Sequence, residues 1–424
     1  MIVEKIRQSG NCECCSDRQN SRRVTMDVAL GVIVDQILPI CEIETILLHT
    51  AKGRVLAKDI FARSNSPPFD NSAVDGYALH SGALQGNGPW NLRVIERVAA
   101  GQTSNLKLNG LFASQIFTGA AVPLGANAII MQEDVLRSGS SIILDHVPRA
   151  SAHIRFAGED MAMGDKLLTR GTVVSSAGIA ACAAAGFEKV DVVRKIRAAL
   201  VVSGNEMQTA GSTLLPGCIW DVNTPMLTGL LAQPLIDLIQ VVQISDQQQA
   251  TETRLSELSG EADLIVTSGG LSSGDEDHLR PAIYKLGGKI DFSGVAIKPG
   301  KPVSFGRLNR SFWLGLPGNP LAAFTTWQIF GEAVLRGLTK QDVQKSLRRN
   351  VLLSKSIHKK VDRCELRLAR IEGCAANGQE IVKFEEATHS GRVAFLPITD
   401  GLIFLPKDVV FLPQGAMVEF LPFC

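Results

Sequence analysis

The sequence has almost no net charge, no long hydrophobic run and few histidines, and each absence narrows the kind of protein. Its 43 basic and 42 acidic residues leave a formal charge of +1, which gives no general electrostatic attraction to nucleic acid. No stretch approaches the ~18 uninterrupted apolar residues that a membrane span requires. The seven histidines show no close pairing, and no Ser/His/Asp set or Cys/His pair is apparent. We therefore expect no nucleic-acid or membrane partner, and a chemistry based on acids, lysines, main-chain amides and a hard cation.

The cysteines and the N-terminus indicate a cytoplasmic protein. The nine cysteines are scattered apart from Cys12, Cys14 and Cys15, and the N-terminus lacks the apolar core of a secretory signal. The cysteine tract could bind a metal, but no second cluster or nearby histidine completes four ligands. Residues 1–24 are polar and without periodic pattern, so we predict a disordered extension.

The length and the changes of residue pattern predict a multidomain fold of α/β and β type. At 424 residues the chain is too long for one compact core. A first helix follows Thr25, a plausible N-cap, and ends near Pro39. The predicted parts are a helical/linker domain (25–60 and 151–190), an inserted β-rich domain (61–150), an α/β domain (191–345) and a C-terminal β domain (346–424).

Strand and helix patterns alternate through the predicted α/β domain. The predicted strands are 198–202, 238–244 and 264–267, and the predicted helices are 225–231 and 251–258. Such alternation is typical of a parallel sheet sandwiched by helices, where ligands collect at the carboxyl ends of the strands.

The strongest local signal is a glycine-rich turn at residues 262–278, where a buried strand ends just before a helix. Gly269 and Gly270 let main-chain N–H groups approach an anion, and Asp275 or Asp277 could hold a divalent cation. The alternative is an ordinary strand–helix connection with a capping aspartate.

A second signal is the lysine turn, residues 297–302, where prolines flank a glycine and hold Lys298 and Lys301 three residues apart. Two ammonium groups on a rigid turn favour a site for phosphate or another tetrahedral dianion. Ordinary surface lysines are the alternative.

Two further loops have both a structural and a functional interpretation. Asn319 and Pro320 can simply begin a helix as N-cap and first helical residue, although a glycine turn there also suits an anion. Asp70 and Asp75 can both serve turns, or Asp75 can be a ligand or base, and local spacing does not decide between these readings. Mg²⁺ is the economical cation, since it binds one or two carboxylates plus phosphate oxygens.

Six motifs in order resemble the MoeA family of molybdopterin molybdenumtransferases, related to the E domains of gephyrin and its plant counterpart. They are residues 69–78, 118–123, 157–160, 267–270, the lysine turn and 316–320, and the resemblance covers about 25–424. It implies an enzyme that takes adenylylated molybdopterin and molybdate, releases AMP in a Mg²⁺-dependent step and forms molybdenum cofactor. It also implies a homodimer with a shared active site, a molybdopterin adenylyltransferase as upstream donor, a three-layer α/β molybdopterin-binding domain and a C-terminal β-barrel-like domain.

The resemblance assigns roles to individual residues of this chain. The catalytic residues would be Asp75, Thr118, Asp160 and Glu206, and the metal ligands Asp246 and Asp277. Molybdate would bind Lys298, Lys301 and Ser390. The substrate would bind Ser268, Gly269, Gly270, Ser272, Pro317, Gly318, Asn319 and Pro320.

The sequence departs from the family pattern at three places. Residues 245–248 keep only one acid, Asp246, where the family often has two, and Asp275 stands where Glu is common. The arginine expected near molybdate aligns with Leu368, so Arg367 or Arg370 would have to substitute. These departures leave a catalytically weakened scaffold paralogue as one alternative. A second alternative is a molybdopterin adenylyltransferase, which shares the α/β domain, although the two predicted β domains argue against it.

Overall fold

The computed structural model describes residues 23–271, 278–342, 348–361, 363–385 and 391–423. The chain forms two compact units. The first unit comprises the residues up to Cys41 together with Arg194–Cys424, and the second unit comprises Glu42–Val193. Across the described ranges, no helix is long and apolar enough to cross a membrane. Of the predicted N-terminal extension, residues 1–22 lie outside the described ranges.

The first unit begins with helix α1 (Met26–Gln36). As predicted, Thr25 is the N-cap, and its hydroxyl accepts a hydrogen bond from the Val28 N–H at 3.3 Å. The apolar face with Ala29 and Ile33 is buried in the core of the α/β part of this unit. Helix α1 was predicted to share a domain with residues 151–190, but it belongs to the first unit, because its apolar stripe is covered there.

The second unit is built mainly of short strands. Its elements are β1 (Ile43–Leu47), β2 (Ile60–Phe61), β3 (Asn71–Ser72), β4 (Gly76–Leu79), β5 (Trp90–Val98), β6 (Phe112–Ile116), β7 (Ala128–Met131), β8 (Leu136–Ser138), β9 (Ser141–Leu144), β10 (Ile154–Arg155), β11 (Lys166–Leu168), α2 (Ser176–Ala184) and β12 (Lys189–Val193). Six of the strands form one sheet in the order β7-β4-β6-β5-β9-β8. Strand β7 ends at Met131, because a 3₁₀ turn occupies Gln132–Asp134.

The rest of the first unit alternates strands and helices and then becomes β-rich. Its elements are β13 (Ile196–Ser203), β14 (Met207–Gln208), β15 (Ile219–Trp220), α3 (Asn223–Leu231), β16 (Ile236–Ile244), α4 (Gln248–Glu261), β17 (Leu264–Ser268), α5 (Leu279–Lys285), β18 (Lys289–Ser293), β19 (Ile297–Lys298), β20 (Ser304–Leu308), β21 (Ser311–Leu316), α6 (Pro320–Thr326), α7 (Glu332–Thr339), β22 (Arg349–Leu353), β23 (Ile357–His358), β24 (Cys364–Cys374), β25 (Glu380–Phe384), β26 (Gly401–Leu405), β27 (Phe411–Leu412) and β28 (Met417–Pro422).

A six-stranded sheet with helices on both faces forms the α/β part. The order is β16-β13-β17-β21-β20-β18, and the first four strands are parallel, as the sequence predicts. Strands β20 and β18 add an antiparallel edge that the sequence pattern did not indicate. Alternate residues of β13 enter two separate cores: Leu200 packs on the face with α3 and α7, and Val201 on the face with α4 and α5.

The C-terminal part is a closed five-stranded barrel. Its strands follow the order β24-β25-β22-β28-β26, and a direct pairing of β26 with β24 closes the ring. Its interior holds Val351, Val382, Ile403 and Phe420. Strand β19 of the lysine turn runs parallel to the start of β24, so the barrel holds that turn in register.

Candidate active site

A cavity of about 850 Å³ lies where the four parallel strands of the first unit end. The loops that follow β16, β13, β17 and β21 all contribute to it, because the carboxyl ends of parallel strands meet at one edge of a sheet. Ten predicted site residues line this single cavity: Glu206, Asp246, Gly269, Gly270, Lys298, Lys301, Pro317, Gly318, Asn319 and Pro320. The glycine turn and the lysine turn therefore face the same space.

The glycine turn depends on residues without a side chain. Gly269 and Gly270 have φ angles of +89° and +62°, in the left-handed region that other residues avoid. A Cβ atom on Gly269 would lie 2.2 Å from the carbonyl oxygen of Ser203. The close approach of the loops after β13 and β17 thus requires glycine, and it leaves main chain at the cavity wall.

The side chain of Ser268 is used inside the protein rather than at the cavity surface. Its buried hydroxyl donates to the carbonyl oxygen of Pro317 at 3.1 Å and accepts a hydrogen bond from Asn223 Nδ2 at 2.9 Å. Asn223 Nδ2 also donates to the Gly318 carbonyl at 2.6 Å. These bonds tie the loops after β17 and β21 together, so Ser268 positions the loops.

Asn223 is a site residue that the sequence reasoning missed. It lines the cavity, and its buried Oδ1 has no hydrogen-bond partner among the described residues. A buried acceptor of this kind is costly unless a ligand or water satisfies it. Asn223 is the first residue of α3, and its place at a helix start, which needs no ligand, is the only sequence signal for it.

Asp246 is fixed by the loop that follows β13. Ser203 Oγ donates a short hydrogen bond to Asp246 Oδ1, and the Asn205 N–H donates to Asp246 Oδ2 at 3.1 Å. The Asp246 N–H in turn donates to Asn205 Oδ1 at 3.2 Å. The carboxylate is therefore oriented before any ligand arrives, and Glu206 supplies a second carboxylate to the same cavity.

The lysine turn presents exposed ammonium groups on a buried backbone. Lys298 and Lys301 are exposed, whereas Pro299 and Gly300 between them are buried. Lys298 Nζ lies 3.9 Å from Glu365 Oε1, on the barrel strand that pairs with β19. That carboxylate accepts two hydrogen bonds from Arg367, at 3.2 and 3.0 Å.

The barrel strand settles which of the neighbouring arginines are near the cavity. Leu368 is 4% exposed and packs in the hydrophobic core, while Arg370 is exposed and lies outside the set of cavity-lining residues. Arg367 is buried and bound to Glu365. Arg363 lines the cavity together with the two lysines. Of these three arginines, Arg363 is the one that lines the cavity, and the substitution by Arg367 or Arg370 stays a prediction.

Three predicted catalytic residues belong to the second unit. Thr118 donates from its N–H and its hydroxyl to Asp75 Oδ1, at 2.8 and 2.9 Å. These hydrogen bonds, first from the main chain and then from the side chain, lower the pKa of Asp75. Asp160 is exposed, and its N–H donates to the Ser66 carbonyl at 3.0 Å.

Asp70 and the residues around Asp75 also have structural roles. Asp70 Oδ1 accepts a hydrogen bond from the Ala157 N–H at 2.8 Å, which ties two loops of the second unit. Gly76 is required by packing, since a Cβ there would lie 2.0 Å from the Ile130 carbonyl oxygen. Asp70 thus has a structural role, although its side chain makes a long-range bond instead of the predicted turn bond, while the carboxylate of Asp75 is held in place by Thr118.

Four residues of the sequence analysis, Ser272, Asp275, Asp277 and Ser390, lie outside the described residues. Asn319 and Pro320 begin helix α6 as predicted, although the Asn319 side chain makes no capping hydrogen bond.

The donor set of the cavity fits a hard cation that shares its coordination with substrate. Within the described ranges, no group of three or more His, Cys, Asp or Glu side chains could hold a metal ion by itself. Asp246 and Glu206 both line this cavity and offer carboxylate oxygens to it. Mg²⁺ is typically held by one or two carboxylates with phosphate oxygens and water completing the shell.

Comparison with known proteins agrees with this geometry. Residues 24–186 match the family model "MoeA N-terminal region (domain I and II)", and residues 206–337 match "Probable molybdopterin binding domain". The chain is 31% identical to molybdopterin molybdenumtransferase 2 of Mycobacterium tuberculosis over 91% of this chain and 96% of that protein. It is 33% identical to the Haemophilus influenzae molybdopterin molybdenumtransferase over 72% and 75% of the two chains.

A solved structure has a similar multidomain fold. The molybdopterin biosynthesis moeA protein of Pyrococcus horikoshii superposes with a TM-score of 0.81 at 27% identity, over 95% of this chain and all of that one. Fold and matches together define a multidomain enzyme of molybdenum cofactor biosynthesis with an α/β domain and a closed five-stranded barrel. The chain belongs to the MoeA family of molybdopterin molybdenumtransferases and is an enzyme of that kind.

Proposed function

We propose that the protein catalyses the Mg²⁺-dependent hydrolysis of adenylylated molybdopterin and inserts molybdate to give molybdenum cofactor and AMP. The observation that carries this proposal is the single cavity shared by the glycine turn, Asp246 and the lysine turn. A phosphoric anhydride and a metal oxyanion are both anions, and this cavity offers a separate binding element for each.

The chain's own groups would divide the work between phosphate and molybdate. The main-chain N–H groups of Gly269 and Gly270 would bind the terminal phosphate of the pterin. Lys298 and Lys301 would hold the tetrahedral dianion, with Arg363 as a third cation at the same cavity. The contact of Lys298 with Glu365 would keep its ammonium group beside the barrel strand.

Asp246 and Glu206 are the described residues that would hold Mg²⁺, and Asp277 remains a predicted ligand from the sequence. When bound, the ion would neutralise charge on the phosphoric anhydride oxygens. The hydrogen bonds of Ser203 and Asn205 to Asp246 would keep both carboxylate oxygens oriented for this task.

The direct test is to supply purified protein with adenylylated molybdopterin, Mg²⁺ and molybdate, and to measure AMP and active cofactor. We expect molybdate-dependent AMP release. Absence of AMP release would favour the scaffold paralogue, and nucleotide transfer from ATP to molybdopterin would favour the adenylyltransferase. Asp246→Asn should remove turnover while retaining the thermal unfolding midpoint.

We further infer a cytoplasmic homodimer with shared active sites, supplied with substrate by a molybdopterin adenylyltransferase. Free thiols at Cys41, Cys182, Cys218, Cys364 and Cys374 suit a reducing compartment. The predicted site residues are divided between the two units: the predicted catalytic residue Asp75 belongs to the second unit, and the predicted metal ligand Asp246 belongs to the first.

This division allows a complementation test of the shared site. Asp75→Asn and Asp246→Asn homodimers should each be inactive. A mixed dimer would contain one intact site if every site takes Asp75 from one subunit and Asp246 from the other, and activity should return on subunit exchange. Mixed dimers without activity would place both residues of a site in the same chain.

A further inference from the structure

One wall of the cavity is apolar, and no role assigned so far uses it. Met207, Ile219 and Trp220 line the same space as the glycine turn and the lysines. Ile219 is 56% exposed and Trp220 is 37% exposed, although both are large apolar residues. Exposed apolar groups at a cavity with a few polar groups are typical of a ligand-binding wall.

Main-chain hydrogen bonds hold this apolar wall in place. Strands β14 and β15 run parallel, with Met207 opposite Ile219 and Gln208 opposite Trp220. The N–H groups on either side of Trp220 are both bonded: Ile219 donates to the Glu206 carbonyl and Asp221 to the Gln208 carbonyl, each at 2.8 Å. The exposed indole is therefore attached to ordered backbone and is presented to the cavity before a ligand binds.

An exposed tryptophan face offers a particular kind of binding. Its flat π surface stacks on planar rings with little dependence on their hydrogen-bonding edges, as aromatic side chains do with nucleobases. The other tryptophans of the first unit, Trp313 and Trp327, are 0% exposed and serve the core. Trp220 is thus the tryptophan of this unit that can meet a ligand.

We propose that the apolar wall of Met207, Ile219 and Trp220 binds a flat heteroaromatic ring whose attached phosphate lies at the glycine turn, with Trp220 stacking on the ring. This rests on the proposed function, since adenylylated molybdopterin carries two such rings, pterin and adenine. Both are planar rings linked to phosphate, which is the chemistry this wall would recognise. The experiment below distinguishes pterin from adenine.

The test measures binding, so it does not depend on molybdenum chemistry. The full-length protein is titrated with AMP, with neopterin monophosphate and with ribose 5-phosphate, followed by calorimetry and tryptophan fluorescence. We expect saturable quenching by AMP or by neopterin monophosphate, and none by ribose 5-phosphate. The ligand that quenches identifies the ring. Equal response to ribose 5-phosphate, or response to none of the three, would overturn the proposal.

Variants separate stacking from a general change in the loop. Trp220→Ala should weaken the ring ligand about tenfold or more by calorimetry, and Trp220→Phe should restore most of the affinity. Leu215→Ala is the matched control, because Leu215 is 55% exposed on the same loop and lies outside the set of cavity-lining residues. Unchanged affinity in Trp220→Ala would refute the stacking role even if the wild type releases AMP. Ring binding without molybdate-dependent AMP release would instead refute only the proposed reaction.

Discussion

The glycine turn and the lysine turn face one cavity but are built in different ways. The glycine turn depends on the main chain: Gly269 has φ +89°, and the Ser203 carbonyl oxygen occupies the space a Cβ would need. The lysine turn offers side-chain charges, and its place depends on the pairing of Lys298 with Glu365 of the barrel. Damage to the first should therefore affect folding and binding together, whereas damage to the second should affect oxyanion binding alone.

Gly269→Ala should have the largest effect. The added methyl group meets the Ser203 carbonyl oxygen at 2.2 Å and forces a non-glycine residue to φ +89°. We expect a loss of about 3 kcal/mol or more in unfolding free energy and no measurable turnover. Gly211→Ala is the control, because Gly211 has φ +93° with no atom within 4 Å of a Cβ. A loss in Gly211→Ala equal to that in Gly269→Ala would attribute the effect to backbone strain alone.

Lys301→Gln and Lys298→Gln should come next. Each removes one ammonium group from the cavity and leaves the turn's main chain unchanged, so the KM for molybdate should rise about tenfold to hundredfold. The thermal unfolding midpoint should stay close to that of the wild type. Lys195→Gln removes an exposed lysine that lies outside the set of cavity-lining residues and should change neither value. An unchanged KM in both turn variants would remove the lysine turn from molybdate binding.

Thr118→Val should shift the pKa of Asp75 in the second unit. The main-chain N–H and the hydroxyl of Thr118 both donate to this carboxylate, and the variant lacks the hydroxyl. Without the hydroxyl, the pKa of Asp75 should rise toward its ordinary value, as carboxyl ¹³C NMR titration can show. Because the pKa of Asp75 is lowered in the native state, this bond stabilises the fold at pH values above the unfolded-state pKa. That stabilisation is lost as the pH falls through the folded-state pKa. The same titration midpoint in both proteins would contradict the role of Thr118.

The smallest effect concerns the reactivity of Cys364 in the wild-type protein. This thiol reports on the pairing of β19 with β24, which holds the lysine turn against the barrel. It pairs with Ile297 of β19, and burial raises the pKa of its thiol to about 11. This rise from an ordinary thiol pKa of 9.0 lowers the thiolate population about a hundredfold near neutral pH. Alkylation by iodoacetamide should therefore reach exposed Cys374 long before Cys364, as peptide mass analysis can show. Equally fast labelling of both would mean that β19 and β24 separate readily.

The site was predictable where the signal is short-range and unpredictable where partners are distant in sequence. The glycine turn, the lysine turn and the helix start at Pro320 are each visible in a few consecutive residues. Arg363 was not predicted as a site residue, because it is recognised only by its place at the cavity beside the lysines. A lone arginine before a strand carries no local signal. Asn223 escaped for the same reason, since its partners Ser268 and Gly318 are 45 and 95 residues away.

Local residue patterns predicted the parallel core strands, the glycine turn and the family, because periodicity, left-handed φ and motif order are properties of neighbouring residues. Four features became visible only in the folded chain: the antiparallel edge of the sheet, the closure of the barrel, the place of α1 in the first unit and the meeting of both turns in one cavity. Those features depend on strand order and on which distant apolar faces cover one another, and the local pattern of residues leaves both open.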